Sequence, residues 1–278
     1  MSPAPGIQRI LSAIVFLPIF WFIVKKLGTG PYQALLLLAA LVGLFEMYRL
    51  AEARGHRCHR MLGVAVAVLI LASFAFPQVR LEYVLAFGLF AIPVAALRRR
   101  GDWSPTFGDI GSTFFAAAFI GVFFGYLVRL RLLSDLPKGE ETGSDLVFLL
   151  FFVVWASDVA AYYAGHALGR HALAPAVSPK KTVEGAVGGL AGALLAAFAA
   201  RIWFMRRLDP LDCVILGVAL GAVGIVGDLV ESMLKRGAGV KDSASLVPGH
   251  GGLLDRVDSL LYSGPVLYYY YVYAMRPS

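Results

Sequence analysis

Apolar runs of about 16–23 residues recur along the whole of this 278-residue chain, each ended by charge, proline or glycine. That pattern leaves few ways to fold. Inside hydrocarbon every backbone N–H and C=O must be satisfied within the segment, so runs of this length cross as helices. At about 1.5 Å per residue, some 20 residues traverse a core of about 30 Å. The runs lie at roughly 10–27, 32–48, 61–77, 80–97, 111–133, 146–168, 183–204, 212–232 and 259–275. They predict an all-α, polytopic integral membrane bundle of about nine transmembrane helices. Strands of a β-barrel would alternate apolar and polar residues with period two, and these blocks do not. Only 15% of residues are charged and 59% are hydrophobic, with mean hydropathy +0.73. A soluble globule of this size needs a larger polar shell. A soluble enzyme, a disordered chain, collagen and a disulfide scaffold are excluded. The two cysteines, Cys58 and Cys213, form no CxxC. Arg9 and the run Ile10 to Val24 have the look of a signal peptide. They lack a small-x-small cleavage site and lead straight into Lys25 and Lys26, so the segment reads as a retained first span.

The formal charge of +7 fits loop lysines and arginines facing anionic lipid and the cytoplasm, with no nucleic-acid partner. With the N-terminus inside, the loops 49–60, 98–110, 169–182 and 233–258, together with Arg9, hold 15 of the 25 Lys and Arg residues. The excess places these loops in the cytoplasm. Residues 1–145 read as scaffold helices. Glu46 and Arg49, close to a span end, are expected to snorkel to the interface. Arg98, Arg99 and Arg100 read as an anchor.

Residues 146–278 carry polarity where a scaffold would not. Asp158 lies inside a span, and a carboxylate at that depth marks a functional site by default. Trp155, Asp158, Tyr162, Gly165 and Gly169 recur at helical steps of three or four. In Ser178-Pro179-Lys180-Lys181-Thr182, Pro179 stops any helix, and Thr182 with Glu184 opens the next span as a capped N-terminus. A helix start beside two lysines suits an anion. Gly217, Gly221 and Gly224 step toward Asp228, and Asp228, Glu231, Ser232 and Lys235 follow at i, i+3, i+4 and i+7. The next residues of note are Arg236, Lys241, Asp242, His250, Asp255, Arg256 and Asp258. Carboxylates interleaved with Lys and Arg describe a metal–phosphate site. Mg²⁺ takes oxygen ligands from a few carboxylates and otherwise from phosphates and water. Zinc is disfavoured, because His250 has no nearby His or Cys partner. Neither a P-loop nor a Rossmann glycine pattern occurs.

These residues resemble the phosphatidate cytidylyltransferase (CDP-diacylglycerol synthase) family. Its signature, S-x-x-K-R-x4-K-D followed by a Pro-x-H-G-G turn and D-R-x-D, reads here as Ser232-Met-Leu-Lys235-Arg236, Lys241-Asp242, Pro248-Gly-His250-Gly251-Gly252 and Asp255-Arg256-Val-Asp258. The 155–185 motif matches as well, while Ala244 and Val247 depart slightly without removing a chemical group. The resemblance implies transfer of a cytidylyl group from CTP to phosphatidate with release of pyrophosphate, dependent on Mg²⁺ with room for a second cation. It further implies a homodimer in a bacterial inner membrane, surrounded by membrane lipids. On this basis Asp228, Asp255 and Asp258 are expected to hold metal. Lys235, Arg236, Lys241 and Arg256 neutralise phosphates, with Asp242 beside them. Ser178, Lys180 and Lys181 bind a phosphate. Asp158 and Glu184 orient basic partners or support the metal. His250 contacts phosphate or orders the glycine turn, and Tyr162 and Ser232 line the substrate site. Two other readings stay open here. One is a CTP-dependent enzyme acting on an ether or polyprenyl lipid phosphate. The other is a phospholipid transporter, which gives no reason for the dense pattern from Ser232 to Asp258.

Overall fold

The computed structural model describes residues 19–98, 103–133, 142–240 and 252–275. Among them the chain forms nine helices: α1 (19–26), α2 (Thr29–Glu52), α3 (Arg60–Ala75), α4 (Leu81–Ala96), α5 (Thr106–Arg131), α6 (Thr142–Leu168), α7 (Val183–Trp203), α8 (Pro210–Gly237) and α9 (Leu254–Tyr270), the last running into a π-helical turn, Tyr271–Met275. Each described helix overlays one predicted run. The chain is an all-α polytopic membrane protein. By length and composition, α2, α5, α6, α7 and α8 are long and apolar enough to cross a membrane. The helices α3 and α4 have 16 residues each, about 24 Å at 1.5 Å per residue.

The most extensive helix contact joins α6 to α7. Between residues 156–165 and 185–192 it is built from residues no larger than alanine and serine, whereas at the far end Phe148 and Phe152 pack edge-on against Trp203. A Cβ added at Gly188 would lie 2.3 Å from Cβ of Ala164, and one at Gly192 would lie 2.4 Å from Cβ of Ala160. With no hydrophobic gain between helices in lipid, such close backbone approach supplies dispersion contact. Gly188→Leu should therefore force the pair apart and cost about 1–3 kcal/mol. The check is the thermal midpoint in mild detergent, with the exposed Leu195 changed to Ala as a control. An unchanged Gly188→Leu midpoint would show that the seam contributes nothing.

The glycines of α8 divide between two neighbours. Gly217 and Gly221 meet Leu194 and Leu190 of α7, whereas Gly224 and Gly227 meet α9. At Gly227 a Cβ would sit 2.8 Å from the Asp258 carbonyl oxygen. Glycine there lets α8 lie directly on the α9 backbone, one residue before Asp228.

Between α6 and α7 the chain makes a feature not expected from sequence, an antiparallel hairpin of β1 (Ala172–Ala174) and β2 (Ser178–Thr182). Thr182 caps α7 as predicted, its Oγ1 accepting the Gly185 N–H at 3.1 Å. The hairpin, the 53–59 turn and the facing ends of α8 and α9 lie at one end of the bundle. There Arg236 Nε donates to Val177 O, and Arg54 Nε donates to Gly237 O.

Glu46 does not snorkel. It is fully buried, and its carboxylate accepts N–H groups of the α9 start. Arg49 is exposed, as expected. Both cysteines are free. Cys58 lies in the turn before α3, where burial, followed by the nearby Glu52, pushes its thiol up to about 11. It remains a protonated, unreactive thiol at neutral pH.

Candidate active site

Four elements converge at the end of the bundle that carries the hairpin: the C-terminal half of α6, strand β2, the last three turns of α8 and the first turns of α9. Asp228 and Glu231 are one turn apart on α8, and Asp258 faces them from α9. One carboxylate oxygen from each lies within 4.8 Å of the other two. Lys181, reaching in from β2, puts its Nζ 2.6 Å from Asp228 Oδ2. Asp158 of α6 feels the charges of both Asp228 and Lys181. Lys235 Nζ donates to Glu231 Oε2 at 2.9 Å and also to Asp255 Oδ1. The second oxygen of Asp255 accepts the Gly252 N–H at 3.0 Å.

Five carboxylates thus face two ammonium groups in a small volume. Like charges this close raise one another's energy unless a cation enters. The donor set is all hard oxygen, which suits Mg²⁺ and not zinc. Glu231 adds a sharper sign: its residue is buried, and among the described residues its Oε1 has no hydrogen-bond partner. An orphaned carboxylate oxygen inside an acidic cluster fits a metal ligand. Asp228, Glu231 and Asp258 therefore fit such an ion, with Lys181 and Lys235 at its flanks to meet phosphate charge.

Residues 7–274 match the family described as "Cytidylyltransferase family". The chain belongs to that family. It is similar to "Phosphatidate cytidylyltransferase" of Bacillus subtilis, 32% identical with 94% of this chain and 96% of the relative covered. The protein of the same name from Pseudomonas aeruginosa is 35% identical, with 93% and 94% covered. Another from Haemophilus influenzae is 42% identical over 58% of this chain and 57% of its own.

Within this cytidylyltransferase the described residues singled out from sequence fall into three groups. Asp158, Lys181, Asp228, Lys235, Asp255 and Asp258 come together as described. Ser178, Lys180, Ser232, Arg236 and Arg256 lie on the same elements, β2, α8 and α9; Lys180, Arg236 and Arg256 are exposed, and Ser178 and Ser232 are half-buried. Tyr162 and Glu184 stand apart in their contacts. The Tyr162 ring is 60% exposed and stacks on His166 at 6.3 Å. Glu184 Oε2 accepts the backbone N–H groups of Arg170 and His171 at 3.0 and 3.2 Å, and its Oε1 lies 2.6 Å from His171 Nδ1. That carboxylate pins the entry to the hairpin and so supports Lys180 and Lys181 from behind. Lys241, Asp242 and His250 lie outside the described residues. Two residues had no role assigned from sequence. Glu231 carried a visible signal, the i+3 step from Asp228. Glu46 carried none.

Proposed function

We infer that this chain transfers a cytidylyl group from CTP to phosphatidate, giving CDP-diacylglycerol and pyrophosphate. The observation that carries the reading is the Asp228–Glu231–Asp258 group flanked by Lys181 and Lys235, in a chain matched almost end to end by relatives named for that activity.

The chemistry needs no covalent nucleophile from the protein. A phosphatidate oxygen, already anionic at neutral pH, attacks the α-phosphorus of CTP, and pyrophosphate leaves from the opposite side. Positioning and charge neutralisation supply most of the acceleration in such transfers. In our assignment Asp228, Glu231 and Asp258 hold Mg²⁺, and Asp158 supports the group from α6. Bound there, Mg²⁺ would supply positive charge against the nucleotide phosphates. Asp255, a metal ligand in the resemblance-based expectation, holds Lys235 in place. Lys181 and Lys235 face the reacting phosphates. Arg236, Arg256 and Lys180 draw nucleotide and lipid headgroup toward the rim, and Lys241, Asp242 and His250 complete the site through the signature they share with the family. Ser178 and Ser232 donate hydroxyl hydrogen bonds, and Tyr162 faces the lipid. The site opens to the cytoplasm, where CTP is found and where the Lys/Arg excess points. A homodimer in a bacterial cell membrane belongs to the same reading.

Protein purified in mild detergent, given phosphatidate, CTP and Mg²⁺, should release pyrophosphate and form CDP-diacylglycerol in equal amounts, followed by phosphate assay and lipid mass spectrometry. EDTA should stop both. Pyrophosphate without the lipid product, or product formation indifferent to EDTA, would refute the assignment. Turnover of ether-linked or polyprenyl phosphates in place of phosphatidate would move the acceptor to that class.

A further inference from the structure

The N-terminal helices look like passive scaffold, yet one carboxylate from them reaches the first turn of α9. Leu253 N–H donates to Glu46 Oε1 at 2.8 Å, and Leu254 N–H donates to Glu46 Oε2 at 2.9 Å. Glu46 is fully buried. A helix start normally satisfies its free N–H groups with an N-cap side-chain oxygen. Here the N-cap residue is Leu253, which has none. The cap comes instead from a helix 207 residues away in sequence. The Glu46 carboxyl group is set at the positive end of α9. One turn earlier on α2, Gly43 leaves room for the Leu254 side chain, whose Cδ2 would stand 3.0 Å from an added Cβ. The turn after α2 makes a matching contact with α8: Arg54 Nε donates to Gly237 O, at the end of that helix.

The two helices gripped in this way carry the acidic cluster. Asp255 and Asp258 lie in the first turns of α9, immediately past the capped residues, and Asp228 and Glu231 lie in the last turns of α8. The distance between Asp258 and its α8 partners depends on where α9 begins and how it is aimed.

We propose that Glu46 is a positioning residue of the cytidylyl-transfer site: from the scaffold half it caps α9 and fixes Asp258 against Asp228 and Glu231. The proposal rests on the reading that these three carboxylates hold the metal. Glu46 touches no reacting atom. It acts through the α9 backbone, as an outer support acts on a ligand.

Removing an outer support of this kind costs about 10- to 100-fold in metal affinity or activity. Full-length E46Q, E46D, R49Q and D258N should be assayed in detergent for kcat, KM for CTP and phosphatidate, and the Mg²⁺ concentration giving half-maximal rate. Folding is checked by gel filtration and thermal midpoint. In E46Q one N–H of the pair faces an amide NH₂, and we expect kcat to fall about tenfold and the Mg²⁺ requirement to rise about tenfold, with KM for phosphatidate unchanged. E46D keeps two acceptor oxygens and should retain more of kcat than E46Q. R49Q, an exposed neighbour on the same helix, should match the wild type. A simple packing defect would lower the thermal midpoint without moving the Mg²⁺ requirement. The proposal is overturned by folded E46Q with wild-type kcat and Mg²⁺ requirement. It is also overturned if neither E46Q nor E46D accumulates as folded protein, since Glu46 would then serve folding alone. D258N separates the two layers. An unaltered Mg²⁺ requirement in D258N removes the metal reading itself, whereas inactive D258N beside normal E46Q removes only the role of Glu46.

Discussion

Asp258→Asn should abolish turnover, by about 10³-fold at limiting Mg²⁺, while the protein stays folded in the membrane. The substitution is nearly isosteric. The Ser259 N–H that lies 2.6 Å from Asp258 Oδ1 keeps an acceptor in asparagine, so the start of α9 survives. What is lost is one of three carboxyl groups whose ligand oxygens lie within 4.8 Å of one another, and with it a third of the oxygen donor set for a divalent cation. A magnesium titration should show a rate that climbs well beyond the concentration at which the wild type saturates. Full activity at limiting Mg²⁺ would sink the assignment of Asp258 to the metal.

Lys235→Met should be damaging for a different reason. The ammonium is the shared partner of Glu231 and Asp255. The three side chains are 13%, 8% and 19% exposed, so water replaces little of what is lost. Removing one partner of such a group leaves uncompensated buried charge, at a cost of about 3–5 kcal/mol. Methionine keeps the unbranched four-atom stem and lacks only the ammonium, so packing is a small part of the change. We expect a clear drop in thermal midpoint together with at least a 100-fold loss of pyrophosphate release. A variant with an unchanged midpoint would mean that the two carboxylates do not depend on this lysine.

Much of the architecture was legible because membrane helices announce themselves. An apolar run has to satisfy its own backbone, so the positions of the charges that end it fix its length, and each described helix lies on a predicted run. The α7 cap was legible too, because Thr182 follows a proline that no helix could pass. The hairpin between α6 and α7 was not. Its strands have 3 and 5 residues and no alternating apolar pattern, and pairing rather than composition makes them strands. In the site, spacing on α8 put Asp228, Glu231 and Lys235 on one face, and the structure keeps them together. The division of labour was hidden: from sequence, Glu231 and Asp255 are equally good acidic side chains. Lys235 engages both; what distinguishes them is that the second oxygen of Asp255 accepts the Gly252 N–H, while Glu231 keeps one oxygen without a hydrogen-bond partner among the described residues. Glu46 was misread for the same reason. A carboxylate near a span end ordinarily reaches for water, and nothing local reveals that backbone donors two hundred residues further on will meet it first.

The seam between α6 and α7 has a mechanical consequence. The two arms of the hairpin grow directly out of these helices, with Val183 N–H bonded to His171 O at 2.9 Å across their junction. Where large side chains mesh, one helix can slide past another by exchanging rotamers. Methyl groups and bare α-carbons have no rotamers to exchange. The half of the helix pair next to the hairpin is therefore stiff, and the strand bearing Lys181 is its tip. That lysine approaches or leaves Asp228 only as far as this stiff end tilts.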